Sequence, residues 1–188
     1  MGETFRQAVH LLMGLLGAGI ILRLNDQEAF IFASAALVVM FLLCDAFTRG
    51  HDVPVISQVF DETERRGKVP LKGGIAYAAG ALFCLAVFGR EYTAVGLVTV
   101  GVLDSVSTLA GLRFGRHTIR GEKSLEGTLA GIAAAALALA FLIPWWAAAV
   151  VAGIAGVIEA YSPVDDNVAV QVGACLTLAL MGVGMGMF

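Results

Sequence analysis

Residues 104–128 read DSVSTLAGLRFGRHTIRGEKSLEGT and lie between two apolar runs. Asp104 falls inside the apolar part, with Ser105, Ser107 and Thr108 after it and Gly111 on the same helical face. Arg113, Arg116, His117, Arg120, Glu122, Lys123, Ser124 and Glu126 then follow in close succession. Glu3, Arg6 and His10 share one face of a helix through their i, i+3, i+7 spacing. Glu159 precedes an acidic turn, Asp165-Asp166-Asn167. Asp104, Glu159, Asp165, Asp166 and Asn167 offer hard oxygen ligands. Mg²⁺ needs only one or two carboxylates, with phosphate and water completing its shell. Arg113, Arg116, Arg120 and Lys123 neutralise phosphate charge, and Gly111, Gly115 and Gly121 let backbone approach an anion. A helix starting after Ser124, with Glu126, Gly127 and Thr128 in its first turn, presents free N–H groups and a positive dipole end. Acids for a metal and bases for phosphate point to a nucleoside triphosphate or a phospholipid headgroup.

Plainer roles exist for each group. Asp104 can pair with a neighbouring arginine, Glu3 and Arg6 can form a surface ion pair, and His10 can be a packing residue. Asp45 reads as an acid at a helix end, and the basic loop can serve orientation alone. What favours a site is convergence on one side of a membrane. No P-loop, protein-kinase signature set, GxSxG elbow, HExxH or GxGxxG is present.

The elements that position these residues are membrane helices. The chain has 188 residues, 59% hydrophobic and only 14% charged. A soluble domain of this size has too much exterior to hide that much apolar surface, so one integral membrane domain over 1–188 is expected. The 23 glycines suit close helix packing, and leave open whether the close faces are internal or belong to a homodimer. Cys44, Cys84 and Cys175 lie in apolar runs without metal-type spacing and read as buried thiols. Glu3, Arg6 and His10 interrupt the first run, which reads as a retained helix rather than a signal peptide.

Spanning-length apolar runs cover 5–22, 28–48, 70–89, 92–112, 126–143, 145–161 and 168–187. The expected fold is therefore all-α, with about seven transmembrane helices. Lys and Arg set its orientation: Arg6, the segment 49–72 and the segment 113–123 hold ten of them, against Arg23 and Arg90 opposite. That predicts a cytoplasmic N-terminus, an outer C-terminus and every polar cluster on the cytoplasmic face. In the loop 49–69, Val55, Ile56, Val59 and Phe60 recur at helical spacing, consistent with an interfacial helix or with an ordinary solvated connection. The bare outer side argues against a transporter or scaffold. No nucleic-acid partner is expected.

The stretch 104–128 resembles the central signature of the CTP-dependent lipid kinases, the family of dolichol kinase, phytol kinase and CTP-dependent diacylglycerol kinase. That signature runs D-x-x-A-x-x-x-G-x-x-F-G, a basic linker, then K-S-x-E-G-[ST]. The matching residues are Asp104, Gly111, Phe114, Gly115, Lys123, Ser124, Glu126, Gly127 and Thr128, with Arg113 beside Phe114 and Ser107 where the family often has Ala. The start 3-ETFRQAVHLLMG-14 is similar to E-x-x-R-K-x-x-H-x-x-x-G, with Gln7 for the common Lys. The segments 67-GKVPLKGGIAY-77 and 159-EAYSPVDDNVAV-170 also resemble family segments, in order along the chain.

The resemblance implies transfer of the γ-phosphoryl group of CTP to the hydroxyl of an isoprenoid lipid alcohol, with Mg²⁺. It implies Mg²⁺ on Asp104 with Glu159 or the Asp165-Asp166-Asn167 turn. It places the nucleotide on Arg6, Gly111, Arg113, Gly115, Arg116, Lys123, Ser124, Glu126, Gly127 and Thr128, and makes Asp104 or His10 the group that orients or deprotonates the hydroxyl. The phosphatidate cytidylyltransferases, which make CDP-lipids, carry a similar central motif. Their late signature of K-D, H-G-G and D-R-x-D is absent here. The compact chain suggests the plasma membrane of a prokaryote.

Overall fold

The computed structural model describes residues 2–51, 71–121 and 123–185. The expected interfacial helix of the 49–69 loop lies almost wholly outside them, as does Glu122. Each of the seven apolar runs forms a helix: α1 (Gly2–Arg23), α2 (Asp26–Thr48), α3 (Lys72–Phe88), α4 (Arg90–Phe114), α5 (Leu125–Leu139), α6 (Trp145–Tyr161) and α7 (Asp166–Leu180). α1, α2 and α4 are long and apolar enough to cross a membrane, while the other four are shorter apolar helices. The runs 126–143 and 168–187 yield helices shorter than their apolar length. α5 ends at Leu139, in a turn leading to Pro144, and α7 ends just before Gly182, which has φ +63°.

One element departs from the all-helical expectation. Thr118–Arg120 (β1) and Lys123–Ser124 (β2) pair antiparallel in a small ribbon between α4 and α5. A tight turn at Gly121, φ +59°, joins them. The ribbon turns the chain back so that Ser124 becomes the cap of α5 and accepts from Gly127 N at 3.2 Å.

α4 is the central helix. Its buried face runs from Thr93 through Leu103 and continues with Ser105 and Ser107, and it packs against α1, α5, α7, α3 and α6. Two glycine crossings set its neighbours. A Cβ on Gly14 would stand 2.9 Å from Gly101 Cα and 2.8 Å from the Leu97 carbonyl, so α1 and α4 touch backbone to backbone. A Cβ on Gly127 would stand 2.4 Å from the Ser107 carbonyl, which brings α5 equally close to α4. One turn from the first crossing, His10 faces Asp104.

α2 lies at the margin. It packs on α3 but has no comparable packing on α1. Of its side chains, only Ala29 and Ala33 are buried, while Phe30, Ile31, Val38, Val39, Phe41 and Leu42 are exposed. An apolar surface of this extent is compatible with a membrane protein.

Candidate functional site

A groove of about 1560 Å³ opens between the charged end of the bundle and the gap beside α1 and α2. Its charged end is built from α1, α4, the ribbon and the α6–α7 turn, and its far end is apolar, with Leu16, Gly17, Ile20, Ala33, Ala36 and Met40.

Asp104 Oδ2 stands 3.6 Å from His10 Nε2, too far for a hydrogen bond, and His10 Nε2 is buried without a partner. Glu159 is 3% exposed. Its Oε1 accepts from Ser107 Oγ at 3.2 Å and lies 3.1 Å from Lys123 Nζ, and its Oε2 has no partner. Lys123 is the centre of this end. Its ammonium also donates to the Glu159 carbonyl and, at 2.6 Å, to Asp166 Oδ2. Partial burial works against the charged ammonium. The hydrogen bond to Asp166 and the charges of Glu159 and Asp166 outweigh it, holding the Lys123 pKa above its ordinary value.

The acidic turn performs structural work. Asp165 caps α7, accepting from Asn167 N at 3.2 Å and Asn167 Nδ2 at 3.1 Å, and stands 3.7 Å from Lys72 Nζ. Asn167 Nδ2 also reaches the Gly73 carbonyl at 3.5 Å. On α1, Arg6 pairs with Glu3, leaving Arg6 Nε buried and unpaired.

The structure thus gathers Arg6, His10, Asp104, Gly111, Lys123, Ser124, Thr128, Glu159, Asp165, Asp166 and Asn167 around one groove. Arg113, Gly115, Arg116, Glu126 and Gly127 do not line it. Arg113 stacks on its neighbour Phe114, at 5.7 Å from the ring centroid, and Arg116 is exposed. Glu126 clamps the loop, accepting from Arg116 N at 3.0 Å and His117 N at 3.2 Å, with His117 Nδ1 at 2.6 Å. Gly127 serves the α4–α5 crossing. The N-terminus of α5 is partly occupied by the protein itself, since Leu125 N donates to the His117 carbonyl and Gly127 N to Ser124 Oγ. Arg120, assigned to phosphate from sequence, lines the groove and donates to the Tyr161 carbonyl at 2.7 Å, and Lys72, not assigned to phosphate, lines it as well. The signal for Lys72 was present: it sits in the charged segment 49–72 that sets the orientation.

Among the described residues no three His, Cys, Asp or Glu side chains converge as a closed metal cage. An Mg²⁺–nucleotide needs less from the protein. The unpaired Glu159 Oε2 and the Asp104 carboxylate, on the same groove, fit that smaller demand.

A helical bundle with lipid-compatible walls and a charged groove at one end defines the class of protein. No family model matches the chain. It is similar to an uncharacterized protein of Methanocaldococcus jannaschii, 31% identical over 144 residues, covering 74% of this chain and 72% of that protein. The chain belongs to the family of that protein. No solved structure matches it.

Proposed function

We propose that the chain is a membrane phosphotransferase of the CTP-dependent lipid kinase type, moving the γ-phosphoryl group of CTP to the hydroxyl of an isoprenoid alcohol. The observation that carries this reading is the continuity of the groove. One cavity joins the Lys123–Glu159–Asp104–His10 end to an apolar channel beside α1 and α2. From His10 to Ile20 the channel follows α1 for about 15 Å, room for a hydrocarbon chain in register with its own headgroup. Seven crossings, with the basic segments and the N-terminus in the cytoplasm, put the charged end where CTP is found. A prokaryotic plasma membrane is the proposed location.

Phosphoryl transfer needs positioning and charge neutralisation more than covalent help. Arg6, Lys72, Arg120 and Lys123 supply positive charge around the triphosphate. Lys123 is pre-positioned by Glu159 and Asp166, so little reorganisation is needed. His10 Nε2 takes the hydroxyl proton as the new O–P bond forms and the β–γ bridge breaks, releasing CDP. Asp104 stabilises the imidazolium that results. Mg²⁺, held by Asp104 and Glu159, would supply charge neutralisation on the phosphates.

Alcohol-dependent CDP release by the purified chain tests this reading. Asp104→Asn should lower kcat by about 100-fold or more while leaving the unfolding midpoint nearly unchanged, because its carboxylate makes no short ion pair. Full activity in Asp104→Asn would remove Asp104 from the site.

A further inference from the structure

Tyr77 belongs to neither the acids nor the basic groups of the proposed mechanism. It projects from α3 with its ring edge-on to His10, centroids 5.5 Å apart and planes at 78°. Its phenol oxygen lies against α1 at Gly14, where a Cβ would come within 3.3 Å of it. Gly14 is one turn beyond His10 in the direction of Gly17 and Ile20. The phenol therefore stands where the charged end of the groove meets the apolar end. Tyr77 Oη is buried and has no hydrogen-bond partner, and the same holds for His10 Nε2. Buried polar groups left unpaired are costly, and these two, on rings in edge-on contact that line one cavity, mark where a ligand's polar atom completes the pairing.

The chemistry of the pair selects the ligand group. A phenol is a donor, and a neutral imidazole nitrogen without its proton is an acceptor. A single hydroxyl satisfies both, accepting from one and donating to the other. An anionic headgroup fits less well, because Asp104 stands 3.6 Å from the same imidazole. An alcohol whose chain occupies the apolar channel meets these two atoms first.

We infer that Tyr77 and His10 form a hydroxyl-binding pair, in which Tyr77 Oη donates to the oxygen of a long-chain alcohol and His10 Nε2 accepts its hydrogen. The inference deepens the lipid-kinase reading and rests on it for the class of alcohol. Tyr77 positions the nucleophile and confers preference for an alcohol over a hydrocarbon of the same shape.

The test compares phytol with phytane, its hydrocarbon counterpart, titrated calorimetrically into wild type and Tyr77→Phe in detergent. Wild type should prefer phytol by about a hundredfold, the worth of two buried hydrogen bonds, and Tyr77→Phe should cut that preference about tenfold with phytane affinity unchanged. In the transfer assay, KM for phytol should rise about tenfold while KM for CTP holds. A purely structural Tyr77 would shift the unfolding midpoint without changing the phytol-to-phytane ratio. If the variant does not fold, phytyl methyl ether carries the test on wild type. It cannot donate to His10 and should bind more weakly than phytol, and equal binding overturns the pair. A preference in Tyr77→Phe equal to that of wild type, or no preference in wild type, also overturns it. A wild type that prefers phytol but transfers no phosphate supports the pair and refutes the kinase reading.

Discussion

Lys123→Met removes the ammonium that serves Glu159 and Asp166 together. Breaking a buried ion pair by deleting one partner costs about 3–5 kcal/mol, because the other charge stays buried and unpaired. Glu159 is 3% exposed, but Lys123 is 29% exposed and Asp166 32%, so water reaches part of the cluster. Ser107 also keeps its hydrogen bond to Glu159 Oε1. The expected loss is therefore lower, about 2–3 kcal/mol, or roughly 4–12 °C in the unfolding midpoint for a chain of this size. Adding Glu159→Gln to Lys123→Met should restore more than half of the loss, since the stranded charge is gone. The Lys123 pKa is raised on folding, so its contribution is fully present below the unfolded value, about 10.4, and is lost as pH rises through the folded one. The gap between wild type and Lys123→Met should thus hold from neutral pH to about pH 10 and close as pH rises further. Thermal unfolding followed by far-ultraviolet circular dichroism in detergent reads all of this. A Lys123→Met shift under about 1 °C, or strict additivity of the two substitutions, would refute the pairing as the organiser of the charged end.

Gly127→Ala places a methyl 2.4 Å from the Ser107 carbonyl and should cost about 1–3 kcal/mol, read as a lowered midpoint; an unchanged midpoint would mean α4 and α5 are not in backbone contact. Glu126→Ala releases Arg116 and His117 from their clamp, so limited trypsin digestion should cut after Arg116 faster than in wild type. An unchanged digestion rate would show that the loop is held by other contacts.

The helices were legible because their apolar runs are long and are broken by charge, Gly or Pro-Trp, as at Pro144-Trp145-Trp146. The Ser124 cap was legible from its place before an apolar run. The ribbon was not. Three residues against two are too short to show strand alternation, and its pairing depends on the turn at Gly121. Which basic side chains enter the groove was equally hidden. Arg113 closes α4 while Arg116, Arg120 and Lys123 follow it, and the ribbon and the Glu126 clamp turn Arg120 and Lys123 rather than Arg116 to the groove. Tyr77 enters the sequence reading only as the last residue of the segment 67–77. Its importance lies in two contacts across the bundle, with His10 and at Gly14, that no local pattern encodes. The acids Asp104 and Glu159 stood out in sequence because a carboxylate among apolar residues is costly unless something pairs it. The ammonium that pairs Glu159 is on Lys123, thirty-six positions away.

Phosphoryl transfer is read by incubating the purified chain in detergent with Mg²⁺, γ-labelled CTP and a panel of lipid alcohols, followed by lipid extraction. Label should enter the lipid phase with at least one isoprenoid alcohol, with an equal amount of CDP in the aqueous phase. No label with any alcohol, together with pyrophosphate release when phosphatidic acid or its ether analogue is supplied, would contradict the kinase reading and identify a CDP-lipid synthase instead.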